Sequence, residues 1–535
     1  MPSKNFIITN PESLIYENEL LSLTVLGGIK LEGLDRMRAT LKLALKKSSV
    51  PPVRHNLDLY NDTQVEKLIR KIAEKLEIGT SVIAASIAEL TEQLEAYRLD
   101  KLKETEPQRN ENPILTPDEQ KEAENFLRSD GLLAKTNELI VNSGMIGEEN
   151  NRLLMYLIFT SRKQTHPLHV VSLGASGTGK THLQEKVGAL IPEEDKIEIT
   201  TLSENAFYYF GQRELKNKLI LIEDLDGAEN SLYPLRELQS KKRISKTVAH
   251  KNTKGETRTM HLVVEGPVSV AGCTTKEYIY EDNANRSFLI YLDESPEQDQ
   301  RIMNHQRAVS AGKIDEVAEK KAADLLCNAQ RILEPIKIIN PYAELLNIPK
   351  EVFKPRRTNN HYLQFIEVVT FYHQWQRAKQ VDKETGEEYI ETTLEDIEEA
   401  NKLLKQILLR KSDDLTGACR NHFERLKLYL IGEKQTRFTN RTISNLFRIP
   451  LTTVKRYHLD LMLNGYMKAN KEKGSKTYLY EIVSYEEYNE LQRQINTVLD
   501  ESLKQLKKNL ATQAKPKSPV KPTSKSGPTE TQIVS

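Results

Sequence analysis

Cysteine is scarce in this sequence: the three cysteines, Cys273, Cys327 and Cys419, lie far apart and form no CxxC pair. This spacing excludes a disulfide framework and a cysteine-based zinc site, and it favours a reducing compartment. Long hydrophobic runs are also missing, since the apolar run at residues 219–222 is far shorter than the roughly 20 residues that a membrane helix needs. The opening residues, MPSKNFIITNPESL, contain no apolar core of signal-peptide length. We therefore expect a cytoplasmic protein that makes no membrane contact.

No charge of either sign dominates the chain, because 77 Lys and Arg residues stand against 76 Asp and Glu residues, for a net charge of +1. Any contact with nucleic acid must therefore come from local basic patches rather than from a global field. Glycine (23 residues) and proline (21 residues) are both used less than average, which favours a helix-rich protein. At roughly 150 residues per domain, the length predicts about three to four domains.

Changes in hydrophobic periodicity divide the chain into segments. Residues 20–60 alternate apolar and polar positions around Gly27-Gly28, which predicts a β-hairpin, and residues 62–103 have helical periodicity. Thr116 followed by Pro117 predicts a capped helix start. The predicted segments are a small α/β module at 1–105, an α/β core with preceding helices at 116–296, an all-helical block at 297–415, two helices with a β-ribbon at 420–485, one helix at 486–511 and a disordered basic tail at 512–535.

A phosphate-binding loop is the strongest motif, since residues 174–181, GASGTGKT, match GxxxxGK[ST] in full. An apolar strand precedes the loop and a helical run follows it, which is the context that this motif requires. Glycines let backbone N–H groups turn around phosphate oxygens, and the helix N-terminus adds positive potential. Lys180 is placed to contact the β- and γ-phosphates, and the Thr181 hydroxyl is placed to coordinate Mg²⁺. The predicted nucleotide ligands are Gly174, Ala175, Ser176, Gly177, Thr178, Gly179, Lys180 and Thr181.

A second apolar strand, KLILIEDLD at residues 218–226, ends in carboxylates. Glu223 takes the position of the carboxylate associated with magnesium, and Asp224 takes that of the base that polarises water. The common order is Asp before Glu, so the inversion here leaves the division of labour open. Two alternatives remain: a buried strand that ends in a solvated acidic turn, and a degenerate site that does not hydrolyse nucleotide.

A third apolar strand, at residues 267–275, ends in hydroxyl side chains. The Thr274 hydroxyl can hydrogen-bond the γ-phosphate or the attacking water. Arg286 follows at a helix-to-strand junction, where it can reach the nucleotide of a neighbouring subunit and stabilise transition-state charge. The alternative for Arg286 is a surface ion pair with Glu281 or Asp282.

This order of elements resembles that of the AAA+ ATPases. Within residues 232–266, two alternating strands flank Asn252-Thr-Lys-Gly255, which predicts a hairpin inserted before the hydroxyl-ended strand. Its placement resembles the pore hairpin of minichromosome-maintenance (MCM) helicases, and this resemblance implies that Lys251 and Lys254 face DNA. The stretch from IPEEDKIEITTLSENAFYYFG to DESPEQ also resembles the ATPase portion of primase–helicase-like proteins of mobile elements and phages. The zinc finger and the primase module that often precede that portion are not recognisable here, so primer synthesis is not expected.

The AAA+ resemblance implies a nucleotide-sensing arginine in the lid. Residues 354–371, KPRRTNNHYLQFIEVVTF, place Arg356 and Arg357 at the start of an amphipathic helix. Either Arg356 or Arg357 is then expected to contact the γ-phosphate, and the sequence does not distinguish between them. A structural ion pair is the competing interpretation.

The pattern at residues 420–485 predicts a winged helix–turn–helix. Thr439 is expected to cap its first helix, Pro450 to separate the two helices, and Gly465 to end the second. This basic face suits phosphate contacts, although docking onto a protein is the alternative. The candidate DNA contacts are Thr452, Thr453, Lys455, Arg456 and His458 on the second helix and Lys471, Lys473 and Lys476 on the wing.

The fold class predicted from these patterns is a multidomain α/β protein with an AAA+ P-loop core, a helical lid, a small N-terminal α/β module and a C-terminal winged helix. The predicted function is that of an ATP- and Mg²⁺-dependent DNA helicase or translocase of a mobile element or phage. Such a protein is expected to form a homo-hexamer, with a single strand in the pore and duplex at the winged helix, and to work with a primase or other replication proteins. The alternative is an ATP-switched DNA-binding regulator, or a transposition or replication helper, that does not unwind DNA.

Overall fold

The structure of the protein is a computed structural model. It describes residues 6–10, 12–30, 36–46, 50–105, 113–251, 257–276, 286–471 and 478–513. The chain divides into two compact units, Met1–Pro113 and Ile114–Ser535. Each unit is described by itself.

The first unit is a five-stranded antiparallel sheet followed by two helices. Alternating positions of the strands point into a core that the helices complete with Leu68, Ile72 and Ile83. In chain order, which is also the order in the sheet, the strands are β1 (Phe6–Asn10), β2 (Ser13–Glu17), β3 (Leu21–Leu26), β4 (Arg38–Leu45) and β5 (Val53–Asp58), and the helices are α1 (Asp62–Leu76) and α2 (Thr80–Thr105).

The predicted hairpin at 20–60 is too small a description of this sheet. Strands β3 and β4 form that hairpin, but β1 and β2 precede it and β5 follows it. The physical reason is local: β5 reads VRHNLD and buries only Val53 and Leu57, so its sequence lacks an apolar alternation strong enough to predict a strand. Residues 53–58 therefore form a strand because they pair with β4, not because of their own composition.

The second unit begins with three helices that lead into a parallel sheet. Thr116 caps the first of them in a capping box with Glu119, as the sequence predicts, an arrangement that contributes about 1 kcal/mol to helix stability. The third helix is buried along its whole apolar run, residues 153–159. The helices are α3 (Pro117–Leu127), α4 (Leu132–Asn142) and α5 (Glu149–Thr160).

The parallel sheet has the strand order β12-β6-β11-β8-β7. Its strands are β6 (His169–Leu173), β7 (Lys196–Ile199), β8 (Lys218–Ile222), β11 (Val268–Thr274) and β12 (Phe288–Tyr291), with helices α6 (Lys180–Gly188) and α7 (Leu232–Lys241) between them. Strands β6 and β11 are buried at every position, and β8 at every position after Lys218, because both faces of the sheet are covered. The carboxyl ends of these parallel strands lie at one edge of the sheet. Strand β11 is inserted there between β6 and β8, out of chain order. Ligands of open α/β sheets bind at this kind of position.

A two-stranded antiparallel hairpin stands between α7 and β11. It consists of β9 (Arg243–Lys251) and β10 (Thr257–Glu265), whose register runs from Arg243 opposite Glu265 to Lys251 opposite Thr257. Its tip, including Lys254, lies outside the described residues.

The block at 297–415 is not all-helical, contrary to the prediction. It contains helices α8 (Pro296–Ser310), α9 (Glu316–Ile332), α10 (Pro355–Tyr372) and α11 (Leu394–Lys411), together with a small sheet of β13 (Lys337–Ile339), β14 (Gln380–Val381) and β15 (Glu388–Glu391). These strands are two to four residues long. Such short pieces leave no period-2 signal in the sequence.

The C-terminal part has three helices before its β-ribbon, one more than predicted. They are α12 (Gly417–Gly432), α13 (Asn440–Phe447) and α14 (Leu451–Leu463), followed by β16 (Met467–Asn470), β17 (Leu479–Ile482) and the long helix α15 (Glu487–Gln513). Thr439 caps α13 by accepting a hydrogen bond from the Thr442 N–H group. The predicted tail from residue 514 onward lies outside the described residues.

In the part of the chain that the structure describes, no helix is both long and apolar enough to cross a membrane. The same residues contain no group of three or more His, Cys, Asp and Glu side chains placed to hold a metal ion.

Candidate functional site: a phosphate-binding loop and its acidic neighbour

The loop between β6 and α6 has the backbone geometry of a phosphate cradle. Gly174, Gly177 and Gly179 have φ angles of 151°, 83° and 91°, a region that residues with side chains rarely adopt. The first turn of α6 has no side-chain cap, so its N–H groups can bind an anion. The sequence of the loop and its fold therefore agree.

Two backbone carbonyl groups of the loop hold the Lys180 side chain in place. Its Nζ donates to the carbonyl oxygens of Gly174 at 2.8 Å and Ala175 at 2.5 Å, and only 7% of the residue is exposed. Phosphate oxygens are charged acceptors and make stronger hydrogen bonds with an ammonium group than neutral carbonyls do. A triphosphate in the loop can thus replace these two contacts.

The predicted acidic pair follows β8 at the same edge of the sheet. The Glu223 N–H group donates to the Ile199 carbonyl at 3.1 Å, and the Glu223 residue is half-buried. Asp224 is exposed, and its Oδ1 accepts from the Asp226 N–H group at 2.8 Å. Of the two carboxylates, Asp224 is therefore the one more open to water.

Asp226 connects the acidic strand to the strand that bears Thr274. The Thr274 hydroxyl donates to Asp226 Oδ1 at 2.5 Å, and the Thr275 hydroxyl donates to Oδ2 at 2.8 Å. Burial alone would raise the pKa of Asp226, but these hydrogen bonds hold it below its ordinary value. The structure thus places Thr274 at the predicted edge and commits its hydroxyl to Asp226. The sequence analysis missed this contact because it depends on β8 and β11 being neighbours.

Cys273 marks the point where the predicted residues converge. Burial raises the pKa of its thiol to about 11, whereas the Thr181 hydroxyl and the Lys180 ammonium act in the opposite direction. The Asp224 carboxylate also acts on the same thiol. Groups from the P-loop helix and the acidic strand end therefore all lie within electrostatic range of one buried side chain of β11.

Oxygen ligands for Mg²⁺ are available at this edge. A hydroxyl and carboxylates are the donors that this hard cation prefers, and Thr181 and Glu223 are the residues that could hold it beside a bound nucleotide. When bound, Mg²⁺ would neutralise developing charge on the phosphates.

Glu294 is a further carboxylate at the mouth of the loop, and the sequence analysis did not predict it. Glu294 Oε1 is 3.6 Å from the position that a Cβ atom would take at Gly174. Burial raises the pKa of Glu294, while Lys180 acts in the opposite direction. No motif marks Glu294, since only the pairing of β12 beside β6 brings it here.

Two predicted arginines lie away from this edge. Arg286 precedes β12, whose first residue pairs with Val170 near the start of β6, about 13 Å from the P-loop at 3.3 Å per residue. The Arg286 Nε donates to the Ser240 hydroxyl of α7 at 2.9 Å. Residues Glu281 and Asp282, its alternative partners, lie outside the described residues.

Arg357 lies at the same far edge of the sheet, one turn before His361. The His361 ring stacks on Phe288 at 5.4 Å, and its pKa is lowered by burial and by the neighbouring Lys411, His169 and Arg357 charges. Arg357 therefore lies away from the P-loop of its own chain, and its contact with nucleotide stays a prediction. Arg356 and Arg357 are both exposed in the first turn of α10.

The candidate DNA contacts fall into three groups. Lys455 and Arg456 are exposed on α14, and Thr453 is half-buried. His458 is fully buried, which corrects its predicted exposure: it packs on α12, with its Nε2 3.1 Å from His422 Nε2. The backbone of Lys251 ends β9, whereas Lys254, Lys473 and Lys476 lie outside the described residues.

The strand–loop–helix, the acidic strand end and the sheet order together form a P-loop core, as the sequence predicts. Residues 114–335, less than half of the chain, match the family model of the MTBMA_p00010 P-loop domain. None of the curated proteins compared with the chain matches it.

Two solved structures are similar to parts of the chain. A full-length MCM homolog from Methanopyrus kandleri is 13% identical with a TM-score of 0.36, and the match covers 56% of this chain and 63% of that one. The chain therefore spans less than two thirds of that homolog. A candidate ATPase from Cytophaga hutchinsonii is 13% identical with a TM-score of 0.30, and the match covers 53% of this chain and 86% of that one.

Proposed function

We propose that this protein is a ring-forming ATPase that couples ATP hydrolysis to movement along DNA, as a replicative-type helicase of a mobile element or phage. The observation that carries the proposal is the position of the hairpin β9–β10. It leads directly into β11, whose other end carries Cys273 and Thr274 at the nucleotide site. A rearrangement at the nucleotide edge can therefore pass along one seven-residue strand to the base of the hairpin.

The chemistry of the proposed hydrolysis follows from the edge of the sheet. Lys180 would bind the phosphates, and Asp224 would accept the proton of the attacking water because it is the carboxylate open to solvent. Glu223 and Thr181 would hold the metal. Arg286, which is remote from its own P-loop, would act on the nucleotide of a neighbouring subunit.

The C-terminal segment at 420–485 is proposed to be a winged helix that anchors duplex DNA. In support, α13 and α14 form a helix pair followed by an antiparallel ribbon, and Lys455 and Arg456 are exposed on α14. One observation favours the alternative of protein docking by an ATP-switched regulator. Leu459 and Leu463 are 51% and 75% exposed one and two turns beyond Lys455, and apolar groups do not bind phosphate.

A strand-displacement assay with simultaneous measurement of ATP hydrolysis tests the proposal. We expect displacement that requires ATP, and Lys180→Ala should abolish both activities without unfolding the protein. The loss in turnover should be at least about 100-fold, since one preorganised charge commonly contributes that much. Lys186→Ala, a lysine of the same helix outside the loop, is the matched control. ATP hydrolysis without displacement would favour the switched regulator, and undiminished hydrolysis by folded Lys180→Ala would remove the catalytic assignment.

A further inference from the structure

A firmly anchored turn between β7 and β8 displays one exposed aromatic side chain. Residues Ala206–Tyr209 form a single helical turn. Phe207 is fully buried, and its ring lies 6.1 Å from that of Phe210 in the core beneath the turn. Tyr209, between these anchors, is 70% exposed. Its outward position is therefore set by a packed backbone.

The same turn is attached to the hairpin through Tyr208 and Lys246. The Lys246 Nζ lies 5.4 Å from the centre of the Tyr208 ring and donates to Asn205 Oδ1 at 2.6 Å. Lys246 belongs to β9, so the aromatic turn and the hairpin form one structural unit. A cation above an aromatic ring contributes a favourable electrostatic contact.

A second exposed tyrosine lies beside Tyr208. Tyr233, in the first turn of α7, is 64% exposed. Helix α7 packs against the Ala206–Tyr209 turn, which brings its first turn beside Tyr208. In agreement, the pKa of the Tyr208 phenol is raised by burial and also by the neighbouring Tyr233 and Glu237. Two exposed phenol rings thus flank Tyr208, one as its chain neighbour and the other across from α7.

The exposed charges of the same chain segment and of the hairpin are of mixed sign. Arg213 and Lys216 follow the turn in the chain, Arg243 begins β9, and Glu204 precedes the turn; all four are exposed. Arg213 also lies 4.0 Å from Glu265. A surface that bound only phosphates would not be expected to mix these charges with exposed rings. Rings beside cations are the combination that binds single strands, because unpaired bases offer their faces while the backbone stays near the cations.

We propose that Tyr209 and Tyr233, supported by Tyr208 and Lys246, stack on the bases of single-stranded nucleic acid. This inference rests on the proposed function, since it names the form of nucleic acid that the hairpin side of the ATPase contacts. Duplex DNA does not fit this surface, because its bases are stacked on one another.

Binding of two probes of equal length separates stacking from charge. One is a dT oligonucleotide, and the other has the same sugar–phosphate backbone with abasic sites; both are titrated with the full chain at several salt concentrations. Tyr209→Ala should weaken dT binding roughly 5- to 150-fold, the range expected for one lost stacking contact. The variant should leave abasic binding unchanged and preserve the salt slope on dT. Tyr233→Ala should behave in the same way.

Matched variants control for the hydroxyl group and for general effects. Tyr209→Phe keeps the ring and should bind dT as the wild type does, and Tyr60→Ala, an exposed tyrosine of the first unit, should have no effect. Equal binding of dT by Tyr209→Ala and the wild type would overturn the inference while leaving the proposed function standing. An equal loss on both probes would also overturn it, because a stacking contact cannot be lost from an abasic strand. If the wild type binds neither oligonucleotide, the proposed function itself fails.

Discussion

Asp226 shows how much a single residue depends on its neighbours across the sheet. In the sequence it is the last of three carboxylates after an apolar strand. In the fold, its two carboxylate oxygens accept hydrogen bonds from Thr274 and Thr275. These contacts make Asp226 a poorer candidate for a metal ligand or a general base. Of the three carboxylates, Glu223 and Asp224 are therefore the candidates for binding the metal and for accepting a proton, and they differ in exposure.

The two remaining carboxylates should separate binding from hydrolysis. Asp224→Asn should lower ATP turnover by roughly 10²- to 10⁴-fold, the usual contribution of a general base, while leaving Mg²⁺·ATP affinity near that of the wild type. Glu223→Gln should weaken Mg²⁺·ATP binding, because a carboxylate ligand of the metal becomes neutral. Steady-state turnover and equilibrium nucleotide binding measure the two effects, with Glu185→Gln on α6 as a control. If Asp224→Asn abolishes binding and Glu223→Gln spares it, the two roles are reversed.

At the scale of elements, α15 ties the C-terminal segment to the helical block. Ile495, Leu499 and Leu506 of α15 belong to the same buried core as α11. At the other end of the segment, the Arg420 guanidinium of α12 contacts Asp413 at 2.6 Å and Glu487 at 3.0 Å. The helix pair and ribbon at 440–482 are thus bracketed by helices packed on the ATPase unit. Because helices on both sides of it pack on the ATPase unit, a shift of α14 on binding DNA would be transmitted to the helical block at 297–415.

The two proposed DNA-binding elements should differ in their salt dependence and in their effect on unwinding. Lys455→Ala combined with Arg456→Ala should weaken duplex binding and lower the slope of log K against log salt by about 1.8, since each lost phosphate contact releases about 0.9 fewer counterions. Lys251→Ala combined with Lys254→Ala should instead reduce unwinding more than duplex binding.

Duplex titrations at several salt concentrations, run beside the displacement assay, measure both effects. Each pair of substitutions serves as the control for the other. An unchanged slope for the α14 variant would support protein docking by that helix. Normal unwinding by the hairpin variant would leave the helicase without its proposed motor contact.

At the scale of the whole molecule, the sheet separates the groups that would complete an active site. The P-loop, Glu223 and Asp224 lie at the carboxyl edge of the sheet, whereas Arg286 and Arg357 lie at the amino edge. A single subunit cannot bring these two sets together, because a strand of about 13 Å lies between them. In the proposed ring, the amino edge of one subunit would face the carboxyl edge of the next, and the site would then be shared between them.

A shared site predicts complementation between inactive subunits. Arg286→Ala and Asp224→Asn proteins, each inactive alone, should regain part of the ATPase activity when mixed, because some interfaces then pair an intact arginine with an intact base. ATP turnover across mixing ratios, with mixed assembly verified, measures this recovery. Ser240→Ala removes the hydrogen-bond partner of Arg286 and should retain near-normal activity. No recovery at any ratio would count against a site between subunits.

Several features of the protein were determined by local sequence. The GASGTGKT loop, the capped helix start at Thr116 and the apolar strand before Glu223 were all predictable. Each depends on contacts within about ten residues of chain: glycine torsion angles, a capping hydrogen bond, or an uninterrupted apolar run. Such short-range preferences are written into the residue types themselves.

Other features were decided only by tertiary structure. The pairing of Thr274 with Asp226, the convergence on Cys273 and the burial of His458 each join segments that are distant along the chain. The same holds for the strands β13 to β15, which are too short to show a period, and for Arg357, whose helix is oriented by its packing. Local composition sets which residues are buried or turned, whereas the order of strands in the sheet sets which of them meet. That order comes from the joint packing of α5, α6 and α7 on the sheet, and no single segment of the sequence contains it.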